Sequence, residues 1–565
     1  MANEDISVTP VLSLPRSGFN YPDFAPPPYL EAWRCNLTAL SHTENLYFVA
    51  GRSEVFVYQP SFPDQRLESD PNLIIQPSGP ETAHAYLPGI PLGPGRYINH
   101  LIVDFLGNEE ILLLALHNGG VIGYRVSQIQ QAIEKRQEPD CVESNVGDDV
   151  TPFFNENVGK SVWGLSIHRE ARMIAVSSNT HKVTIYAFAL DIPTPSPRSE
   201  YWVRDRSRQT RIELPDTGTN IPCVAFCNTG DDPEGRWLLT TDIDGVARIF
   251  DLSMVSCPGS YCIEIAPRFC VMANYGDKLD CICHSLDEHS HHYCHATWGA
   301  LWLDSRAFKR VDNLREAFGC DAKVTKRKPE QVCFDCSSRR SLVPNSSTTW
   351  QPDPNARPEE PEDCFWNGEA QCWRELTNVR NFDFPLLEDQ RLPDTSSILL
   401  LSIRDMILMQ PIRGQFEPDL VAYHDPLFQS QREGEDSYWL QDQDRMNLHA
   451  QIPELGVVIV GSAKGRVAIL SLTQTSSTRP GGKTHACRID HILPTREQEL
   501  KGERPASSLA GIAVGPIQGM LGRDADHPRR WRLLMMYHDN EMLKYEISKR
   551  ADRNSQMQEV SELII

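Results

Sequence analysis

Long apolar runs are missing from this chain. The longest strong one, Ile111 to Leu116, falls far short of the roughly 20 residues a membrane-spanning helix needs. No apolar leader opens it either. MANEDISVTP begins with acidic residues, whereas a secretory signal needs a basic start and an apolar centre. An intracellular protein is therefore expected. Its 16 cysteines then read as reduced core or metal-site thiols rather than disulfides, and the sequons at Asn36 and Asn345 as chance matches. Positive charge is scarce too. With 55 Lys and Arg against 76 Asp and Glu the net charge is −21. That disfavours direct nucleic-acid binding and adsorption to anionic membranes, and makes basic partners easier to accommodate.

Catalytic signatures are also missing. There is no Gly-x-Ser-x-Gly elbow and no His-Glu-x-x-His motif. Gly159-Lys160-Ser161 ends like a phosphate-binding loop, but Phe154 stands where the first glycine must be, and a strand rather than a helix is expected to follow. A non-enzymatic protein is the expectation.

What the chain does contain is a repeat. Seven times an apolar run ends at a polar or glycine turn, and a second strand-like run follows at once. The second runs open at Val55, Val121, Val183, Val246, Met406, Val467 and Met542, spaced 66, 62, 63, 160, 61 and 75 residues apart. The long gap is one unit plus an insert. Asn118-Gly119 and Asp244-Gly245 read as tight hairpin turns whose two central residues both take φ > 0. Trp163, Leu165 and Ile167 alternate with small or polar residues, the period of a strand. Ser127 with QIQQAIEKR reads as a capped short helix.

Each unit holds three strands with room for a fourth. Four-stranded sheets repeated radially make a β-propeller. The fold class is thus all-β, a seven-bladed WD40-like propeller with a long insert in blade five. True Trp-Asp and Gly-His signatures are absent; Phe250-Asp251 stands where Trp-Asp would, and Tyr58, Tyr124 and Tyr186 hold related places. Residues 1–30 form an N-terminal segment in which Val8–Leu14 is a candidate closing strand. Residues 31–304 carry blades one to five in part, 305–395 the polar and partly disordered insert, 396–550 the remaining blades, and 551–565 a tail. Strand Trp and Phe residues are expected in the core between blades.

The insert region carries the densest metal-ligand chemistry. Cys281, Cys283 and Cys294 lie among His284, His289, His291, His292 and His295, and Cys320 and the pair Cys333 and Cys336 follow. Cys-x2-Cys is a common zinc half-site, so a structural zinc joining Cys333 and Cys336 to two members of the first cluster is one reading. Buried thiols and a solvated histidine loop are the other, and otherwise no cofactor is expected. Lys323–Pro329 reads as a nuclear-import signal or a plain surface charge run. Thr194-Pro195 and Ser196-Pro197 read as phosphate acceptors or loop punctuation.

Ser161–Gly164, the hairpin Ser178–Tyr186 and the unit Gly235–Leu252 together resemble the fungal CRT-type family of regulators of ribonucleotide reductase gene transcription. The resemblance runs through most of the chain and is weakest in the insert. It implies a nuclear, non-enzymatic regulator, and the family's association with a cullin-based ubiquitin ligase implies an alternative role as substrate receptor. Expected partners are proteins, a cullin-ligase adaptor or transcription factors, with the chain a monomer within a complex in nucleus or cytoplasm. Residues 24–33, FAPPPYLEAW, would offer aromatic anchors for such docking.

Overall fold

Runs rich in Val, Ile, Leu and aromatic residues fit a pleated, buried surface, and in this chain they become strands. The computed structural model describes residues 6–11, 28–31, 33–68, 70–77, 96–137, 150–188, 209–252, 262–265, 269–275, 278–281, 296–318, 332–335, 372–374, 396–403, 405–409, 420–424, 426–427, 445–476, 483–519 and 530–549. Among the described residues, seven sheets of four or five strands form a seven-bladed β-propeller.

Blade one comprises Thr38–Leu40, Tyr47–Gly51, Glu54–Tyr58 and Leu73–Ile75; blade two Ile98–Leu106, Glu109–Leu116, Gly120–Arg125 and Phe154–Asn157. Blade three comprises Val162–His168, Met173–Ser178, Lys182–Phe188 and Gln209–Glu213; blade four Cys223–Phe226, Trp237–Thr241, Ala247–Asp251 and Cys262–Ile265. Blade five starts with Gly299–Leu303 and resumes, after the insert, with Ser397–Leu401, Asp405–Met409 and Leu420–His424; Val332–Asp335 of the insert adds an outermost strand. Blade six comprises Leu448–Ile452, Val457–Gly461, Val467–Ser476 and Lys483–Leu493, with Lys309–Arg310 pairing in parallel to its long third strand. Blade seven takes Leu509–Pro516, Trp531–Tyr537 and Met542–Lys549 from one end of the chain and Ile6–Pro10 from the other. Val11 N donates to Lys544 O at 2.9 Å, the last bond of that closing strand.

The first strands of neighbouring blades pack on one another, so they line the axis. Each runs from an upper face, where the strand begins, to a lower face, where it ends. Apolar clusters fill the wedges between blades. Trp237, Leu239 and Ile249 of blade four pack on Ala300, Trp302 and Leu400 of blade five. Leu301 and Leu399 of blade five join Val458 and Leu470 of blade six. Trp531 and Leu533 of blade seven meet Ile459 and Ile469 of blade six. Each such side chain contributes about 2 kcal/mol by burial, and no blade can bury its faces alone. Tyr58, Tyr124 and Tyr186 are all buried, and Asp251 is fully buried against Arg236, whose Nε and Nη2 donate to it at 2.9 and 2.6 Å.

On the lower face, polar clasps tie neighbouring blades together. Buried Glu110 of blade two accepts from Ser41 Oγ and His42 N of blade one, both at 2.6 Å. His168 Nε2 of blade three donates to Asp232 O of blade four at 2.8 Å. Arg532 of blade seven donates to Asn45 and Gln65 of blade one, at 2.9 and 2.6 Å.

Three local expectations are corrected. At Asn118-Gly119 and Asp244-Gly245 only the glycines have positive φ, +90° and +80°. Asn118 and Asp242 side chains accept from backbone N–H groups two residues on, at 3.1 and 3.0 Å, which holds a wider turn than the two-residue type. Ser127 is not a cap. The helix Val126–Arg136 starts from Arg125 with no side-chain cap, and Ser127 Oγ donates to Glu109 at 2.8 Å instead. The alternation at Trp163 fails because the strand bulges between Val162 and Leu165; Val162, Leu165 and Ile167 take the core positions and Trp163 does not.

Deleting residues 1–11 should lower the urea midpoint of unfolding, because it removes five cross-strand pairs. Ile6→Ala, at a buried position, should alone cost about 2 kcal/mol. A midpoint unchanged by both would show that this strand does not close the ring.

Candidate interaction face

The segment before blade one lies across the upper mouth of the ring. Cys35 N donates to Asn99 O of blade two at 2.9 Å, and Leu37 N to Ala510 O of blade seven at 3.3 Å. Asn36 bonds Ile512 of blade seven in both directions, Nδ2 to O at 2.8 Å and N to Oδ1 at 3.0 Å. Arg445 Nη2 and Asn447 Nδ2, at the start of blade six, donate to the carbonyls of Trp33 and Arg34 at 3.3 and 3.4 Å. Trp33 packs against Trp163 of blade three, with ring centroids 5.9 Å apart and planes tilted by 38°. Only a segment over the axis can touch blades two, three, six and seven at once. The cavity left beneath it, between Arg34, Cys35, Arg445 and Leu509, measures about 20 Å³, room for about one water.

This plug carries aromatic rings on its outer side. Among the described residues the exposed large apolar side chains are Tyr29, Trp33, Phe62 and Leu500, and Tyr29 and Trp33 are 59% and 48% exposed. Each has an arginine over its ring: Arg52 over Tyr29 and Arg34 over Trp33, both at 4.2 Å. Nearby, Arg445 lies over Trp298 at 4.3 Å. Stacked guanidinium groups favour these ring positions through cation–π attraction. Trp33 sits at φ 57°, a left-handed conformation that costs a bulky residue about 1–3 kcal/mol and persists only where its surroundings hold it.

Buried groups fix the plug from below. Arg34 is itself buried; its Nη1 donates to Asn99 Oδ1 and lies 3.5 Å from His117 Nδ1. Asn99 passes the network on to Ser161 Oγ and Val162 O at 2.9 and 2.7 Å. Desolvation lowers the Arg34 pKa, with Glu31 opposing, and burial pushes the Cys35 thiol up to about 11. Cys223, Cys227 and Cys487 are likewise buried and raised to about 12, so these four are inert core thiols. Around the axis, burial pushes His100 and His449 down to about 4; His449 is further lowered by His100. His100 Nδ1 donates to Trp163 O at 2.9 Å.

The sequence-derived candidates fall unevenly. Tyr29 and Trp33 of the aromatic segment are on the upper face, while residues 24–27 lie outside the described residues. Of the zinc candidates, Cys283, Cys294 and Cys336 lie outside the described residues. Only the backbone is described for Cys281, in the strand Lys278–Cys281, and for Cys333, in Val332–Asp335, and these strands belong to different sheets. Among the described residues no cluster of His, Cys, Asp or Glu could hold a metal ion, and no helix is long and apolar enough to cross a membrane. Residues 194–197 and 323–329 also lie outside the description.

Sequence reading missed Trp163, Trp298 and the three arginines. The available signal was the Trp-Gly pair, at Trp163-Gly164 and Trp298-Gly299, each at the start of a first strand. A Cβ on Gly164 would lie 2.5 Å from Ser177 Oγ, and one on Gly299 2.9 Å from the His449 ring. Both glycines thus let the strand pack tightly while the tryptophan before it sits at the upper face.

Between pH 6.5 and about 4 the unfolded chain protonates His100 and His449 while the folded one keeps them neutral. Acidification through that window therefore costs stability. Replacing both with glutamine should flatten the pH dependence of the urea midpoint there; an unaltered slope would assign it to other groups.

The chain is 26% identical over 536 residues to an uncharacterized WD repeat-containing protein of Schizosaccharomyces pombe, covering 91% of this chain and 90% of that protein. It is 27% identical over 225 residues to a WD40 repeat-containing protein of Dictyostelium discoideum; that match takes in 40% of this chain but spans only 25% of the relative's length. Among solved structures, a chain of the mitotic checkpoint complex covers 96% of this chain and 95% of its own length at 10% identity and TM-score 0.40. The WD40 domain of Toxoplasma gondii coronin covers 93% of this chain and 86% of its own at 9% identity and TM-score 0.38. The CRT10 family model matches residues 95–258 and 422–547, a little over half of the chain and most of five of its seven blades. The chain belongs to the CRT10 family of WD40-like β-propeller proteins.

Proposed function

We propose that this chain is a non-enzymatic scaffold that docks protein partners on its upper face and thereby regulates ribonucleotide reductase gene transcription. One observation carries the docking part. Tyr29 and Trp33 are exposed on a plug held by four other blades, each ring in contact with an arginine guanidinium. Trp, Tyr and Arg are the residue types that dominate binding energy at protein interfaces. Large rings held in place lose little entropy on binding. The transcriptional part is supported by membership of the CRT10 family and by the resemblance of its strand motifs. Nuclear import through residues 323–329 belongs to the same reading.

A second reading, a substrate receptor of a cullin-based ligase, is favoured by the place of these anchors in the N-terminal segment. The outer side of that segment, between the closing strand Ile6–Pro10 and the first strand of blade one, exposes Tyr29 and Trp33 where an adaptor could meet them.

Affinity purification of the tagged protein from its native cells, with mass spectrometry after moderate salt, tests both. Tyr29→Ala with Trp33→Ala should lose the main partners, at about 2 kcal/mol or more per anchor, with the melting temperature little altered. Partners retained in full would refute the upper face as the docking site. A cullin and its adaptor among those lost would select the second reading. Ribonucleotide reductase transcripts unaltered in cells lacking the protein would rule out the first.

A further inference from the structure

A groove on the opposite face has no assigned role. Between blades two and three, on the lower side, an open depression of about 380 Å³ has Leu106, Ile111, Phe153 and Phe188 as its floor and Arg125 and Arg172 at its rim. Arg125 stacks over Phe153 at 5.0 Å, which fixes one guanidinium at the mouth. Neither arginine has an ion-pair partner among the described residues. The one carboxylate on the lining, Glu109, already accepts from Ser127 Oγ at 2.8 Å.

We infer that this groove binds a short acidic segment of a partner protein, one bulky apolar side chain filling the floor and carboxylates meeting Arg125 and Arg172. The apolar floor gains from burial of such a side chain, and arginine forks pair with carboxylates in two-pronged fashion. The net charge of −21 does not forbid an acidic ligand. At physiological salt charges are screened beyond about 8 Å, so the lining groups set the local field, and there two arginines outweigh the single carboxylate of Glu109. The groove lies across the ring from Tyr29 and Trp33. Its occupation goes beyond the upper-face reading and makes the propeller a bridge between two proteins.

The test uses the full-length protein and short fluorescein-labelled peptides in which a Leu, Met, Phe or Trp is flanked on each side by paired glutamates. At least one should bind saturably, more weakly as salt rises, and an alanine-centred or lysine-flanked control should not. Arg125→Glu with Arg172→Glu should weaken binding by about tenfold or more. If that variant melts early, Arg125→Gln with Arg172→Gln is measured in its place. Binding by none of the peptides, or equal binding to wild type and variant, overturns the inference. So does binding seen only after the acidic residues of 138–149 are replaced, which would make the groove a site for the chain itself. Tyr29→Ala with Trp33→Ala should leave peptide binding unaltered, so the two readings fail separately.

Discussion

The antiparallel pairing of Ile6–Pro10 with Met542–Lys549 is the contact on which the rest depends. A propeller's blades are stable as neighbours, because each apolar cluster is shared between two of them. An open ring would leave two blade faces wet and one long sheet edge unpaired. Building blade seven from both ends of the chain pairs the outer edge of Met542–Lys549 with Ile6–Pro10 and couples closure to the fate of the whole sequence. The adjoining joint, between blades seven and one, carries unusual cost. Arg532 is fully buried, its pKa lowered to about 10 by desolvation, and the partners that hold it are amide oxygens of Asn45, Gln65 and Gln518. Gln65 and Gln518 themselves sit at φ 51° and 53°. Closure is thus specified by a charge and strained turns as well as by hydrophobic contact. Such a joint favours one register over slipped alternatives more than it adds stability.

The upper mouth repeats this logic at smaller scale. The plug residues spend their backbone groups on blades two, six and seven, and the buried Arg34–Asn99–Ser161 network anchors them beneath. With one end of the molecule so constrained, Trp33 can hold a backbone conformation it would otherwise leave. Rigidity at the axis and exposure at the rings arise from the same contacts.

Much of the architecture was legible in sequence. Strand alternation and the recurring hairpin fixed seven blades, because burial between blades imposes the same two-residue period on each. What stayed hidden depends on pairing partners rather than on local pattern. The bulge that turns Trp163 out of the core is defined by the register against Met173–Ser178, which no single strand encodes. The turn at Asn118 was misjudged because a side-chain acceptor competes with the φ > 0 geometry that Asn-Gly usually signals. Ser127 lost its capping role to Glu109, eighteen residues away in sequence and adjacent across the blade edge. The aromatic anchors were half visible: Tyr29 and Trp33 stood out in a proline-rich stretch, but the arginines over them come from other segments.

These constraints bear on where recognition can take place. A cavity of about 20 Å³ under the plug has room for about one water, so a partner finds no place in it. It can be met on the outer surface, where the Tyr29 and Trp33 rings already hold fixed positions. Lower-face turns, by contrast, are tied blade to blade, and blades two and three are joined there by Gly107 N donating to Arg169 O at 2.9 Å. Between two clasped blades a groove keeps its shape without a ligand. A surface preformed in this way loses little on binding, and a propeller with one such surface on each face is suited to holding two proteins at a set distance.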